Sequence, residues 1–403
     1  MKFVRNWGRL GMKCKLEDIA DINMGQSPKS VYYNNEGMGY PFLQGNRTFG
    51  FKYPTFDTYT TVATKLAKAG DIIMSVRAPV GELNITPVDM CLGRGVCSLR
   101  MKNENQDFLF YMMKYYVSHL LRKEGGTVFG SVNRKDISSL EIDITDNIET
   151  QKRIARYLSM LDDKIELNSK INNNLEQQAQ AIFKSWFVDF EPFGGVQPSE
   201  MQFIPLQELC KVVTKGTTPT TLGKSFASSG INFIKAESIL DNHSIDNSKF
   251  AFIDEETNAL LKRSVIKAND IIFTIAGTLG RFAMVDNSVL PANTNQAVAI
   301  IRPDETKITP AYLYSFFIGN WHNEYYSKRI QQAVQANLSL TTIKSLPIAV
   351  LNNTTMSNYD KLVSPLFALM KNNEEENRRL SKLRDALLPK LMSGELDVSN
   401  IEL

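Results

Sequence analysis

Histidine occurs three times in 403 residues and cysteine four times, so the side chains that most often bind metals or relay protons are scarce. His119, His243 and His322 stand apart, with no serine, cysteine or aspartate at a matching spacing, which leaves no nucleophile and base pair to propose. Cys14, Cys91, Cys97 and Cys210 form no C-x-x-C pair, which argues against a zinc site and a disulfide framework and leaves them as buried thiols. No apolar run reaches the roughly 20 residues of a membrane span. The opening MKFVRNWGRLGMKCKLEDIA also lacks the apolar centre of a signal peptide, so a cytoplasmic chain with no membrane partner is expected. Met12 is a second candidate start beside Met1. A net charge of +3 speaks for no partner by itself, because a nucleic-acid binder needs clustered cations rather than a high total.

Sequences that imitate catalytic motifs fail on spacing or context. GTTPTTLGKS resembles a phosphate-binding loop, but six residues separate Gly216 from Gly223 where the motif requires four. In RPDETK, Asp304, Glu305 and Lys307 are nearly contiguous, whereas metal-dependent cleavage needs carboxylates that converge from separate elements. VDFEPFGG follows a helical pattern instead of opening a strand-turn-helix unit, and no Asn-Pro-Pro or Asp-Pro-Pro occurs. No catalytic residue, metal site or bound cofactor is therefore expected on this chain.

What the chain does contain is itself, twice. AGDIIMSVRAPVG (69–81) returns as ANDIIFTIAGTLG (268–280), identical at five of thirteen positions. LEDIADINMGQSP is answered by LQELCKVVTKGTTP, and DFLFYMMKYYVSHLLRK by AYLYSFFIGNWHNEYYSKR. GSVNRKDISSLEIDI is answered by QANLSLTTIKSLPIAV, with Ile137 and Leu140 matching Ile343 and Leu346. The order is shared and the offset drifts from 190 to 208, as in two copies of one fold with different loops. The Gly-Asp turn and the apolar β-branched run after it predict a buried strand. Function must then lie where the copies differ, as where Arg77 is replaced by Ala276 and Arg281 follows the glycine instead.

Each copy ends in a long helical pattern with apolar steps of four and three. Ile154, Leu158, Leu161, Ile165, Asn168, Asn172 and Leu175 continue through Ala179 and Ile182. Leu362, Leu366, Leu369, Asn373, Glu376, Leu380, Leu383 and Leu387 repeat that phase 208 residues later. The spacing predicts a coiled-coil seam between the two helices, with the central polar residues fixing register. A pseudo-two-fold relation between the copies would make the helices antiparallel. The boundaries read as a globular copy over 1–148, a helical spacer over 149–195, a second globular copy over 196–354, and a second spacer with a tail over 355–403.

LDDKIELNSKINNNLEQQAQAIFKSWFVDFEPF (161–193) resembles the central conserved region of the specificity (S) subunit of type I restriction-modification systems. AGDIIMSVRAPVG, NTNQAVAII, QANLSLTTIKSLPI and the closing LLPKLMSGELDV agree, so the resemblance spans nearly the whole chain. It implies an α/β (α+β) fold, with two pseudo-repeated target recognition domains joined by two long antiparallel coiled-coil helices. It also implies a noncatalytic reader of split, asymmetric double-stranded DNA. Two modification (methyltransferase) subunits carrying S-adenosylmethionine would dock on the helices, and restriction (translocase/nuclease) subunits would add ATP- and Mg-dependent translocation and cleavage. An autonomous methyltransferase or nuclease with degenerate motifs, and a scaffold that holds two partners apart without reading DNA, are the alternatives.

Base edges favour Arg, Lys, Asn and Gln, and phosphates accept Lys, Arg, Ser and Thr. Taken from the loops that differ, the DNA-binding candidates of the first copy are Ser27, Lys29, Asn46, Arg47, Arg77, Arg94, Ser131, Asn133 and Arg134. Those of the second are Lys215, Thr217, Thr218, Lys235, Arg281, Asn293, Asn295, Gln332, Gln335 and Asn337. Gly125 and Gly126 suit a tight turn or a close backbone approach. Phe183, Trp186, Phe187 and Phe190 form an aromatic cluster that either meets the partner subunits or closes the adjacent core.

Overall fold

The structure, a computed structural model, describes residues 11–121, 130–323, 325 and 337–398. The chain divides into two compact units, one comprising Met1–Asn168 with Glu375–Leu403 and the other Ser169–Glu374. Each unit therefore takes its globular copy together with a piece of both long helices.

In the first unit a four-stranded antiparallel sheet runs in the order Ala20–Met24, Val96–Met101, Ile72–Ser75 and Leu83–Ile85. The second unit repeats that order with Cys210–Lys215, Val298–Pro303, Ile271–Thr274 and Phe282–Met284. Each also has a two-stranded ribbon, Gly11–Lys15 with Glu141–Thr145 and Gln202–Pro205 with Pro347–Val350. A parallel strand pair follows the same rule, Tyr40–Leu43 with Met90–Leu92 and Ile231–Ile234 with Ala292–Thr294. The helices Gln106–Leu120 and Pro310–Ile318 each bury almost every apolar side chain in their own unit.

The repeated phrase is scaffold. Asp71 and Asp270 are buried, and each accepts a hydrogen bond from the backbone N–H three residues before it, that of Lys68 at 2.9 Å and that of Lys267 at 2.8 Å. An arginine from the central strand meets each carboxylate, Arg100 at 2.5 Å and Arg302 at 2.7 Å. Burial pushes Asp71 above the ordinary carboxylate value against the pull of Arg100. Gly70 and Asn269 exchange because both hold left-handed backbone, φ +84° and +66°, a region asparagine tolerates better than most residues. At the strand ends Ser75 and Thr274 close the following loop alike: each hydroxyl donates to a carbonyl four residues on, Pro79 or Thr278, and accepts from the N–H of Glu82 or Arg281 at 2.9 Å.

The long helices span Ile148–Phe187 and Asn353–Met392. Within each unit their pieces pack antiparallel. In the first, Asn377 Nδ2 reaches the Ile165 carbonyl at 3.4 Å, and Arg384 meets Asp162, which is 1% exposed, at 2.6 Å. Tyr111 and Lys114 from the helix Gln106–Leu120 bond the same carboxylate at 2.9 and 3.5 Å. Asn168 donates to Glu376 and Asn377 at 2.7 and 2.9 Å. In the second unit Asn373 donates to Asn172 Oδ1 at 2.7 Å and Asn172 to the Met370 carbonyl at 3.1 Å, and the Phe183 ring lies edge-on to Tyr359.

The first helix buries Ile154, Leu158, Ile165 and Leu175 and half-buries Leu161. On the second helix the predicted row holds at Asn373 and Glu376, which meet Asn172 and Asn168, but not at most of its leucines. Leu362, Leu369 and Leu383 are 47, 45 and 47% exposed, Leu366, Leu380 and Leu387 are half-buried, and the buried stripe is Tyr359, Val363, Phe367, Met370 and Asn373. Aromatic and β-branched residues turned inward displace the leucine row by one position. A second correction concerns the aromatic cluster. Phe183 and Phe187 are buried in the core of the second unit, Trp186 and Phe190 pack against it, and Phe187 meets Tyr312 and Tyr359 edge-on. Phe183 and Phe187 close a core and are not open to a partner, while Trp186 and Phe190 are half-buried against it.

Candidate nucleic-acid interface

The loops at one end of each four-stranded sheet converge through backbone hydrogen bonds. In the first unit Gln26 N–H donates to the Leu92 carbonyl, Gly95 N–H to that of Gln44, Val76 N–H to that of Gly95, and Val132 N–H to that of Val76, at 2.9 to 3.0 Å. Gly25 makes the first approach feasible, since a Cβ there would lie 2.0 Å from the Gly93 carbonyl oxygen. The second unit repeats the design. Thr217 N–H donates to Thr294 at 3.2 Å, Ile275 N–H to Ala297 at 2.8 Å and Leu338 N–H to Ile275 at 2.9 Å, and a Cβ at Gly216 would lie 1.9 Å from the Thr294 carbonyl oxygen.

On this frame the side chains differ. In the first unit the Ser27 hydroxyl donates to Gln44 Oε1 at 2.8 Å and accepts from the Arg94 N–H at 3.1 Å, while Arg77 bridges Ser131 through the backbone. Lys29, Arg77, Arg94 and Arg134 are exposed, and none has an ion-pair partner among the described residues. Such unpaired cations meet phosphate without first breaking a contact. Asn46 and Arg47 are engaged, by Glu82 at 2.6 Å and by Asp57 at 2.6 Å. Asn133 caps the short helix Arg134–Ser138, its side chain accepting from Lys135 and Asp136 N–H.

In the second unit Thr218 bonds Gln296, and Thr217 accepts from Arg263 at 3.3 Å. Lys215 is exposed and without an ion pair among the described residues, whereas Lys235 pairs with Glu237 at 2.8 Å and Arg281 with Asp241 at 2.6 Å. Asn295 accepts from Ala297 N–H at 3.1 Å, and Asn337 is exposed beside the Leu338 contact. Asn293 is fully buried, its amide donating to Asn258 and to the Leu261 carbonyl, so this candidate belongs to the core and cannot reach a duplex. Gln332 and Gln335 lie outside the described residues, as do Gly125, Gly126 and Met1.

Two residues escaped the sequence analysis. Gln44 aligns with the chosen Lys235 at an offset of 191, and Gln296 aligns with the chosen Arg94 at an offset of 202. Each sits one hydrogen bond from a candidate, so carrying each candidate across the repeat would have found both. The histidines form no reaction centre. Burial pushes His322 down to about 3 and lowers His243, which stacks on Phe282 with ring centroids 4.1 Å apart. Asp304 closes a turn by accepting from Thr306 at 3.2 Å, and no cluster of three metal-ligating side chains occurs among the described residues. No helix among the described residues is long and apolar enough to cross a membrane.

Comparison with known proteins gives this geometry a family. The chain matches the type I restriction modification DNA specificity domain twice, over residues 11–177 and 198–352. It is 24% identical over 414 residues to the type I restriction enzyme MjaIX specificity subunit of Methanocaldococcus jannaschii, covering 96% of this chain and 94% of that one. A 168-residue stretch, 41% of this chain, is 41% identical to the MjaX specificity subunit of the same organism, of which it covers 39%. A crystal structure of a type I restriction-modification S subunit from M. genitalium shares the fold at a TM-score of 0.58 and 18% identity, covering 99% of both chains. The relatives are named as specificity subunits, the DNA-recognition and not the catalytic components of such systems. With both halves matched, the chain belongs to the specificity-subunit family of type I restriction-modification systems.

Proposed function

We propose that this chain reads a bipartite, asymmetric double-stranded DNA target, one half with the loop edge of each unit. In this reading it assembles with modification subunits that methylate adenine and with restriction subunits. The observation that carries it is the pair of equivalent edges: one backbone frame presents Ser27, Gln44, Arg77 and Arg94 in one copy and Thr218, Lys235, Ala276 and Gln296 in the other. A shared frame with different polar tips suits two modules that read different sequences. S-adenosylmethionine, ATP and Mg would be held by the partner subunits.

Apolar residues left outside the helix packing support the docking part of the proposal. Met160, Leu167 and Leu383 in the first unit, and Ile171, Leu362 and Leu369 in the second, are 36 to 55% exposed. Pairs seven residues apart, such as Met160 with Leu167 and Leu362 with Leu369, fall on one helix face. Such rows bury well against a partner's helices.

The test is adenine methylation mapped across the genome by single-molecule sequencing, in cells expressing the modification subunit with and without this chain. A split motif methylated only when the chain is present is the expected result. Unchanged methylation with an active, assembled partner would overturn the proposal in favour of a scaffold.

A further inference from the structure

Among the exposed aliphatic side chains of each unit, one follows closely on the hydroxyl residue of its loop edge. Val31 is 78% exposed and Leu222 is 48% exposed. Each stands four residues after the hydroxyl residue of its edge, Ser27 or Thr218, on a short helical turn, Ser30–Tyr32 shortly after the buried Pro28 or Pro219–Leu222 starting at the buried Pro219. Both turns are pinned. Tyr32 N–H donates to the Lys29 carbonyl at 3.0 Å and the Tyr33 hydroxyl to that of Pro28 at 2.9 Å. In the second unit the Thr221 hydroxyl donates to the Thr218 carbonyl at 2.7 Å, and Gly223 N–H to that of Thr220 at 3.2 Å.

Around these two positions the copies do not agree, since Lys29 and Tyr32 are answered by Thr220 and Gly223. The aliphatic character is kept while size and polarity beside it change. A rigid, water-exposed aliphatic next to a row of hydrogen-bonding groups gains free energy only if something apolar covers it. On the groove edges of duplex DNA, the apolar group offered to a protein is the 5-methyl of thymine.

We propose that Val31 and Leu222 are specificity residues, each covering the methyl group of one thymine in the half-site read by its own unit. The proposal rests on the DNA-reading function above and adds to it a base and a residue for each half.

The experiment uses the full chain assembled with its modification subunit, and duplexes carrying the motif found by methylation mapping, with each thymine replaced in turn by uracil. At one thymine of one half-site, uracil should weaken binding about four-fold, the effect of one methyl-sized group. Val31→Ala should lose a similar factor on the thymine duplex and be indifferent to uracil there. Leu222→Ala should do the same in the other half. The proposal is overturned if either half-site lacks thymine on both strands, or if no uracil position matters. It is also overturned if the substitutions weaken all sequences equally, or if they impair assembly while the motif stays the same, which would assign both residues to a protein contact. Failure of the DNA-reading function itself would show separately, as wild-type methylation that does not depend on this chain.

Discussion

The guanidinium groups of Arg77 and Arg94 have no ion-pair partner among the described residues, while Arg47, Arg281 and Lys235 each already have a carboxylate partner. That distinction orders the candidate residues by what they can still do. Arg94→Ala and Arg77→Ala should each weaken DNA binding by the assembled complex and reduce the slope of log affinity against log salt by about 1. Arg47→Ala should change the slope less, because its charge is largely met by Asp57. Binding titrations at several salt concentrations check both. Residue choice from sequence could find side-chain chemistry in variable loops but not whether that chemistry was already engaged. Asn293 shows the limit: an asparagine taken from a stretch that differs between the copies has base-reading chemistry, yet its strand pairs in parallel with Ile231–Ile234 and its side chain is in the core.

Among the elements, the long helices show which periodicities can be read and which cannot. On the first helix the row with regular steps of four and three is the buried one, and Met160, Leu167 and Ile171 lie outside it. The second helix has two rows, the leucines at 362, 369 and 383 and the row at 359, 363, 367 and 370, and periodicity alone does not say which faces the neighbour. Packing chose the row that meets Phe183 and its aromatic neighbours. The polar contacts between helix pieces were legible as types but not as partners. Asp162 is one of these: next to the seam residue Leu161, it is 1% exposed and holds Arg384, Lys114 and Tyr111 together. Asp162→Ala should lower the stability of the full chain by about 3 kcal/mol, since it strands two cations in a poorly solvated site. Asp162→Asn, which keeps a hydrogen-bond acceptor, should cost less. The shift in urea midpoint of the two variants measures the difference.

For the molecule as a whole, the repeat was the most legible feature, because equal sheet order demands equal order of turn and strand phrases. Where the compact units would divide was not legible: each takes pieces of both long helices, so the predicted helical spacers and the compact units do not share boundaries. Replacing residues 16–140 with the matching region of another specificity subunit should alter one half of the methylated motif and leave the other unchanged, as methylation mapping would show. The loop after the repeated strand indicates why such exchange is tolerable. One hydroxyl, from Ser75 or Thr274, ties the loop's two ends and the buried Val76 or Ile275 anchors its start, so the position that follows, Arg77 or Ala276, is left outside the buried core. Mutation there is decoupled from stability, and new specificities can arise by drift at the tip with no intermediate that misfolds.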